Sequence, residues 1–510
     1  MNDAESQTIL FTNLFMIART GSELHILELA KHFVENGWEA TIYTLTYGYP
    51  LQKELESIGA KVVTFGNENE LSDHYDVLYA QHRRVSEFLA TQSSITFDRV
   101  IVSVLGVVTS EEALPFFTPN ADAVVFVSNE AKAFYAADNR LTGKQMLVLP
   151  NTASTDFFAP ASRKFEGIKF PRRTVIISNH VAKELKDFAD IVRAREANSS
   201  VDVYGYETTS VEISPELLSQ YDLVISIGRT AQLAFASGTP YYCYDAFGGP
   251  GFISENDISK HAYFNFSGRS EPTQRTGEEL YRDIVNRYET AVEEVASLRH
   301  FAVSQFMFDK EILKLDNLIC SIPHNTRSLA ENTTSDQREL CEMRCREFQQ
   351  IDRCHYGVAQ VFYTNDPNNN MPTEERSFKF QYRYQSKISV RAADFNNTEA
   401  KFIRFDPDEA PCVCAFDSNS VTTHNAAANL DGNYHFISFD PMLYLKHGLN
   451  KITFTSKRMD VNSANQLQHH LEKQLKRQSE RQEMTQAPFD RINVNAFKLI
   501  AKKLFSRNDS

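Results

Sequence analysis

From Ile9 to Ile319, short apolar runs alternate with segments of helical period. Ile9–Thr12 reads as a strand, Asn13–Thr20 as a loop, and Gly21-Ser22-Glu23 as the start of a helix in which Leu24, Leu27, Leu29, Ala30 and Phe33 recur at helical spacing. Asn36-Gly37 ends that helix and Ala40–Leu45 resumes as a strand. Gln52–Ile58 is helical, and Lys61–Thr64, Asp76–Ala80, Val100–Leu105 and Ala123–Val127 follow as strands. Each crossover from strand to strand through a helix implies a parallel sheet.

The same alternation begins again near Arg172. Thr174–Ser178 is a strand, Glu184–Arg195 a helix, and Val201–Tyr204 a strand closed by Gly205. The most informative stretch is Tyr221–Gly251. Its run Leu223–Ile227 reads as a buried strand, Gly228-Arg229-Thr230 turns into a helix, Gly238-Thr239-Pro240 stops it, and Tyr241–Tyr244 is the next strand. Glu278–Leu298 and Gln305–Ile319 then carry helical patterns.

Asn325–Ser335 is a polar stretch read as a linker, and from Tyr356 to Phe454 the helical period disappears. Val358–Tyr363, Phe378–Tyr384, Lys387–Arg391, Lys401–Phe405, Tyr434–Phe439 and Lys451–Thr455 alternate with Asn, Asp, Pro and Gly, the pattern of an antiparallel sandwich. Gln466–Gln486 is charged and basic, a solvated or self-associating helix. Ile492–Phe505 places Val494, Phe497, Ile500, Ala501, Leu504 and Phe505 on one side with Lys498, Lys502, Lys503 and Arg507 around it. Such a helix suits an anionic membrane surface or its own domain equally. The expected organisation is two α/β domains over 1–155 and 156–324, a linker over 325–355, a sandwich over 356–460 and a helical tail over 461–510.

Composition narrows the class. A chain of 510 residues is too long for one core. Its formal net charge of −13 argues against a nucleic-acid backbone as the main partner. The seven cysteines are odd in number and scattered, which fits a reducing compartment rather than a disulfide framework. Cys341, Cys345, Cys354 and His355 match no standard zinc spacing, so no metal is expected. Met1–Thr8 lacks the basic and apolar regions of a signal peptide, and no apolar stretch approaches the length of a membrane span. The expected location is the cytoplasm.

Candidate chemistry sits at the strand ends. In open α/β sheets ligands bind outside the carboxyl ends of the strands, which brings in Gly21 and Ser22 after the first strand. A helix opening at a glycine turn presents free N–H groups and a partial positive charge, suited to a phosphate. That describes Gly228, Arg229 and Thr230, with Arg229 adding a forked cationic donor. Against this stands the plain alternative that Gly228 only tightens a connection and Arg229 is solvated.

The segments Thr20–Thr44 (TGSELHILELAKHFVENGWEATIYT), Ala121–Tyr135 (ADAVVFVSNEAKAFY) and Leu147–Pro160 (LVLPNTASTDFFAP) resemble, in order and spacing, the opening and domain junction of retaining glycosyltransferases of family 4. The resemblance implies the GT-B architecture, two Rossmann-like domains facing each other across a cleft. In that family a Gly-Arg and a Lys hold the nucleotide diphosphate in the first loop of the second domain. Here the place is taken by Ser178, Asn179 and His180, with Lys183 and Lys186 downstream. The glycine pair Gly248-Gly249 is kept, where the family's backbone amides approach the donor. Two donor-contacting glutamates fall on Ile225 and Leu233, and the usual histidine after the third strand falls on Leu105. His82, His180 and Asp245 are then the cleft-side catalytic candidates, although a histidine at a strand end is more often structural. The phrases FIRFDPDEAPC and FISFDPMLYL resemble β-rich modules attached to bacterial polysaccharide glycosyltransferases, and Asp406-Pro407-Asp408 reads as a turn rather than a metal motif.

These expectations converge on transfer of a sugar from a nucleotide sugar to a growing bacterial surface glycan, of O-antigen or capsule type. No cofactor is required beyond the donor. The partners expected are the nucleotide sugar, a glycan or lipid-linked glycan acceptor, a membrane surface touched through 492–507, and a further protomer if the sandwich joins copies. A nucleotide-sugar epimerase shares the two-domain architecture but is disfavoured by the sandwich. A non-catalytic glycan-binding subunit is favoured by the two missing glutamates.

Overall fold

The computed structural model describes residues 6–159, 169–179, 181–205, 211–352, 355–366, 371–430, 432–437 and 440–459. The charged helix expected over Gln466–Gln486, the amphipathic helix over Ile492–Phe505 and the candidate His180 lie outside them. The chain divides into two compact units, Met1–Arg353 and Cys354–Ser510.

The first unit holds two α/β domains. In the first, β1 (Thr8–Met16), β2 (Glu39–Tyr47), β3 (Lys61–Thr64), β4 (His74–Gln81), β5 (Thr96–Val104), β6 (Ala123–Phe126) and β7 (Gln145–Val148) form a seven-stranded sheet in the order β3-β2-β1-β4-β5-β6-β7. Every pairing is parallel. Helices α1 (Gly21–Glu35), α2 (Leu51–Ile58), α3 (Arg83–Leu89) and α4 (Asn129–Tyr135) connect the strands. An apolar core lies on each face, one around Phe11, Ile26, Phe33 and Tyr79 and the other around Tyr43, Phe88, Phe97 and Phe126. That two-sided burial explains why the strands read as continuous apolar runs.

β1 is longer than its apolar run, because Thr12 and Asn13 are polar yet wholly buried. They are clasped by the neighbouring strand: Thr12 Oγ1 donates to the Gln81 carbonyl at 2.7 Å, and Gln81 Nε2 donates to Asn13 Oδ1 at 2.9 Å. Polar residues that satisfy one another inside a sheet leave no loop signal in the pattern.

The second domain contains β8 (Arg173–Ile177), α5 (Lys183–Arg195), β9 (Ser200–Tyr204), α6 (Pro215–Leu218), β10 (Leu223–Ser226), α7 (Arg229–Ser237), β11 (Tyr241–Asp245), β12 (Gly248–Phe252) and α8 (Ile258–Tyr263). Its sheet order is β12-β11-β10-β8-β9, parallel except for the antiparallel edge strand β12. Gly248-Gly249, expected as part of a loop, is therefore the start of a strand. The reason is steric: a side chain at Gly249 would meet the Cys243 carbonyl oxygen at 2.0 Å, so only glycine lets β12 lie so close to β11.

α9 (Gly277–Glu293) and α10 (Val295–Gln305) complete that domain, and α11 (Phe308–Ser321) crosses back to the first, where Ile312, Leu315 and Ile319 join the Phe11 core. The polar stretch expected as a linker is tied down there. Arg327 bridges to Phe97 of β5 and pairs with Asp122 at 2.5 Å, and just before the stretch the Ile322 carbonyl accepts from Arg99 Nε at 2.9 Å. α12 (Ser335–Asp352) then packs Cys341 and Cys345 into the Tyr43 core. Among the described residues, no helix is long and apolar enough to cross a membrane.

The second unit is built from β13 (Tyr356–Thr364), β14 (Ser377–Arg383), β15 (Ile388–Arg391), β16 (Lys401–Asp406), β17 (Cys412–Phe416), β18 (Val421–His424), β19 (Ala428–Leu430), β20 (Asn433–Phe436), β21 (Leu443–Leu445) and β22 (Lys451–Arg458). They form two five-stranded antiparallel sheets, β14-β13-β16-β21-β18 and β15-β22-β17-β20-β19. Aromatic pairs join the sheets face to face: Phe405 lies 4.6 Å from Phe454 and 5.6 Å from Phe416, and Tyr382 lies 5.0 Å from Phe454, ring centre to ring centre. Asp406 takes a two-pronged contact from Arg404 at 2.7 and 2.5 Å, while Asp408 accepts from the N–H of Glu409 at 2.7 Å and from the Tyr384 hydroxyl. Both carboxylates of the Asp-Pro-Asp segment thus have protein donors.

Burial pushes the Asp406 carboxyl up to about 6, with Arg404 pulling in the opposite direction. A raised folded-state pKa makes protonation stabilising. The contribution is complete below the ordinary value near 3.8 and is lost as pH rises through about 6. The second unit should therefore gain about 1–3 kcal/mol as pH falls from 7.5 to 5. Hydrogen-exchange protection of β16 in the whole protein measures this, and Asp406→Asn should flatten the dependence.

Candidate functional site

The carboxyl ends of both parallel sheets lie in the first unit, and the sequence candidates gather there. After β1 the chain turns through Ile17–Thr20 into α1. Glu23, 2% exposed, organises this turn: its carboxylate accepts from the N–H groups of Ile17 at 2.9 Å, Ala18 at 2.8 Å and Thr20 at 3.2 Å, and from the Thr20 hydroxyl at 2.6 Å. Burial raises its pKa, and the bonds from Thr20, Ile17 and Ala18 act against that rise. Gly21 is exposed and Ser22 half-buried, with the Ser22 carbonyl accepting from Gln81 Nε2 at 3.2 Å.

His82 follows β4 in a backbone conformation, φ +60°, that non-glycine residues seldom adopt. Its Nδ1 accepts from the Leu14 N–H at 3.0 Å, which assigns the proton to Nε2. Nε2 faces Glu112 Oε1 at 3.4 Å, and Glu112 Oε2 accepts from the Leu105 N–H at 2.8 Å. The ends of β1, β4 and β5 are thus linked through one imidazole and one carboxylate. A His–Glu pair of this kind can hold and pass a proton. Glu112 was not foreseen; its only signal is its place shortly after the β5 run.

In the second domain Ser178 Oγ donates to both oxygens of Asp245, at 2.9 and 3.0 Å, above the end of β10. Lys183 stands in the first turn of α5, its side chain 87% exposed and paired with Asp187 on the same helix at 3.2 Å. The Gly249 N–H donates to the Thr273 carbonyl at 3.1 Å, so this amide is engaged within the protein.

Gly228 caps α7 with φ +63°, a conformation that favours glycine, and no side chain caps the helix. Its N–H donates to the Phe266 carbonyl at 2.9 Å. Phe266 and Asn265 both have positive φ, near +50°. This strained pair supports the glycine turn from beneath and carries no sequence signal of its own. Thr230 is buried at the start of α7.

Arg229 is the most unusual group. Its side chain is 12% exposed; Nη2 donates to Glu28 of α1 across the two domains, while Nε and Nη1 are buried without a protein partner. His25, one turn before Glu28, is buried with Nε2 3.1 Å from the Tyr79 hydroxyl. Burial first, and then the Arg229 charge, lower its pKa to about 3, so it stays neutral beside the guanidinium. Other ties between the domains are Glu130 with Arg269, a fork at 2.9 and 2.5 Å, and Arg19 with Glu212 at 2.8 Å.

Among the described residues, one group could offer a metal three ligand atoms within 4.8 Å of one another: His74, Asp76 and Asp98. It lies at the amino ends of β4 and β5, away from the cleft, and Asp98 is already bonded by His324 at 2.8 Å and by the Thr326 hydroxyl.

Two Rossmann-like domains with facing carboxyl edges define the GT-B class, and the first unit has that architecture. No family model matches the chain, and no curated protein matches it. Similar solved structures include a glycosyltransferase from Rickettsia africae, 14% identical over 62% of this chain and 99% of that one with a TM-score of 0.44. Sucrose-phosphate synthase from Thermosynechococcus elongatus is 14% identical over 61% and 98% with a TM-score of 0.40. WaaG, a glycosyltransferase involved in lipopolysaccharide biosynthesis, is 10% identical over 61% and 100%, also with a TM-score of 0.40. Likeness of this degree leaves the functional question to the side chains themselves.

Glu23→Ala would leave several buried N–H groups unpaired and should destabilise the protein by about 2–4 kcal/mol. The single tryptophan, Trp38, packs against Phe33 of α1 with ring centres 5.1 Å apart. Its fluorescence during denaturant unfolding is the measurement.

Proposed function

We propose that this chain is a glycosyltransferase that moves a sugar from a nucleotide-activated donor to a growing bacterial surface glycan. The observation that carries the proposal is Arg229, with two guanidinium nitrogens buried and unpaired at the uncapped start of α7. Buried polar groups are ordinarily hydrogen-bonded, and a guanidinium beside a helix N-terminus is matched by a diphosphate. The diphosphate is also the leaving group of sugar transfer. Charge develops on it as the glycosidic bond to the donor breaks, and fixed donors stabilise that charge without reorganising. His82 and Glu112, at the carboxyl edge of the first sheet, are the groups proposed to handle the acceptor's proton; Asp245, held by Ser178, shapes the donor side.

The finer parts of the proposal rest on sequence. The FDP phrases of the second unit favour a polymeric acceptor, of O-antigen or capsule type, and the basic stripe of 492–507 favours work at the inner face of a membrane. A second reading is a glycan-binding subunit without catalysis. Its specific support is that Ile225 and Leu233, where the resembled family carries donor-contacting glutamates, are buried in apolar cores.

Incubation with a panel of nucleotide sugars, with and without a glycan acceptor, separates these readings. Acceptor-dependent nucleotide release supports transfer, interconversion of sugars without release supports an epimerase, and binding without turnover supports the subunit. Arg229→Ala should remove a charge-assisted contact of about 2–3 kcal/mol, weakening nucleotide-sugar binding by about 30- to 150-fold. Calorimetry on the folded variant measures it, and unchanged affinity would make Gly228-Arg229 a structural feature.

A further inference from the structure

We infer that Glu28 is a positioning residue that competes for the anion seat of Arg229, and that a diphosphate takes over the guanidinium by displacing this carboxylate. The inference rests on the reading of Arg229 as the phosphate-binding group and adds to it an internal rival from the opposite domain.

The geometry points to exchange rather than to a permanent ion pair. A guanidinium is a planar fork, and a structural arginine–carboxylate pair commonly uses two parallel bonds, as Arg269 does with Glu130 at 2.9 and 2.5 Å. Arg229 gives Glu28 only Nη2 and keeps Nε and Nη1 buried and unpaired. The carboxylate therefore satisfies one corner of a fork whose remaining donors suit a larger anion. Glu28 has room to leave. Its side chain is 28% exposed, against 12% for Arg229, so the carboxylate can turn to water while the guanidinium stays in place.

The surroundings favour the newcomer. His25 beside the pair is neutral and brings no competing charge. The start of α7 adds its own partial positive charge, which a diphosphate with several acceptor oxygens uses more fully than one carboxylate on a neighbouring helix. Holding Arg229 through Glu28 in the free protein also limits the cost of burying an unmatched cation, which is severe without a counter-charge. When the anion arrives, the tie between α1 and α7 is exchanged for a tie to ligand, while Glu130–Arg269 and Arg19–Glu212 still span the two domains. Glu28 thereby links occupancy of the donor seat to one of several contacts across the cleft.

The test is a mutant cycle on the full chain, with uridine diphosphate, guanosine diphosphate and inorganic pyrophosphate as probes in calorimetry. Glu28→Gln keeps the shape and removes the competing charge. It should bind the probe that the parent binds best about three- to tenfold more tightly. The same substitution made in Arg229→Ala should give no gain, because the rivalry acts only through the guanidinium. Glu28→Ala should behave as Glu28→Gln does, which covers the case in which one variant folds poorly.

Equal or weaker binding by both Glu28 variants overturns the inference. If Arg229→Ala has meanwhile lost affinity, the phosphate seat itself stands and only the rivalry is removed. If Arg229→Ala binds as the parent does, the seat is wrong and the inference falls with it. A gain that persists in the Arg229→Ala background also overturns it, since Glu28 would then be acting by general repulsion.

Discussion

A parallel sheet covered by helices on both faces meets water only at its two ends. In each α/β domain of this chain the strands are mostly apolar, and the polar groups that could do chemistry gather near the ends where they stop. Thr12 and Asn13, buried within β1, are consumed by Gln81 of the neighbouring strand. The rest follows: Glu23 bracing the turn after β1, His82 and Glu112 after β4 and β5, Ser178 and Asp245 over the end of β10, and Arg229 at the start of α7. Burial of the sheets decides where such groups can be, and their mutual hydrogen bonds decide how they point.

The two edges are held together by ions and by the chain itself. α11 carries Ile312, Leu315 and Ile319 back into the core of the first domain, and the segment after it runs beside β5. That return is apolar and extensive, and it is suited to be permanent. The ion pairs across the cleft differ in kind. The fork between Arg269 and Glu130 satisfies both partners, whereas the single contact between Arg229 and Glu28 leaves a buried cation half satisfied. An ion pair out of water is stabilising only when its remaining donors are also met, so these two contacts, similar in residue type, have different physical meaning.

The second unit solves another problem. Its core is aromatic, with Phe405, Phe416, Phe454 and Tyr382 interlocking between two antiparallel sheets. Its one conspicuous acidic motif is spent on internal contacts to Arg404, Tyr384 and the backbone.

Much of the architecture was legible in the residue pattern. Lys61–Thr64 appears as expected, most other strands differ by a few residues at their ends, and the strand–glycine–helix–strand unit around Gly228 has the predicted order. Local periodicity is enough for that, because a buried strand or an amphipathic helix writes its own burial into consecutive residues. Where polar residues were buried in pairs, as in the second half of β1, or where glycine allowed a strand to hide as a loop, as in β12, the pattern misled. The stretch expected as a linker is polar because it lies on the surface, yet backbone and arginine contacts tie it down. At the site the chain by itself marked Arg229 and His82 but not their partners. Glu28 stands 201 positions before Arg229 and Glu112 thirty after His82, and nothing in their neighbourhoods distinguishes them from solvated glutamates. Residue type and local spacing determined which groups could act. Only the tertiary structure decided which of them meet, because a hydrogen bond between distant residues depends on the packing of everything between them.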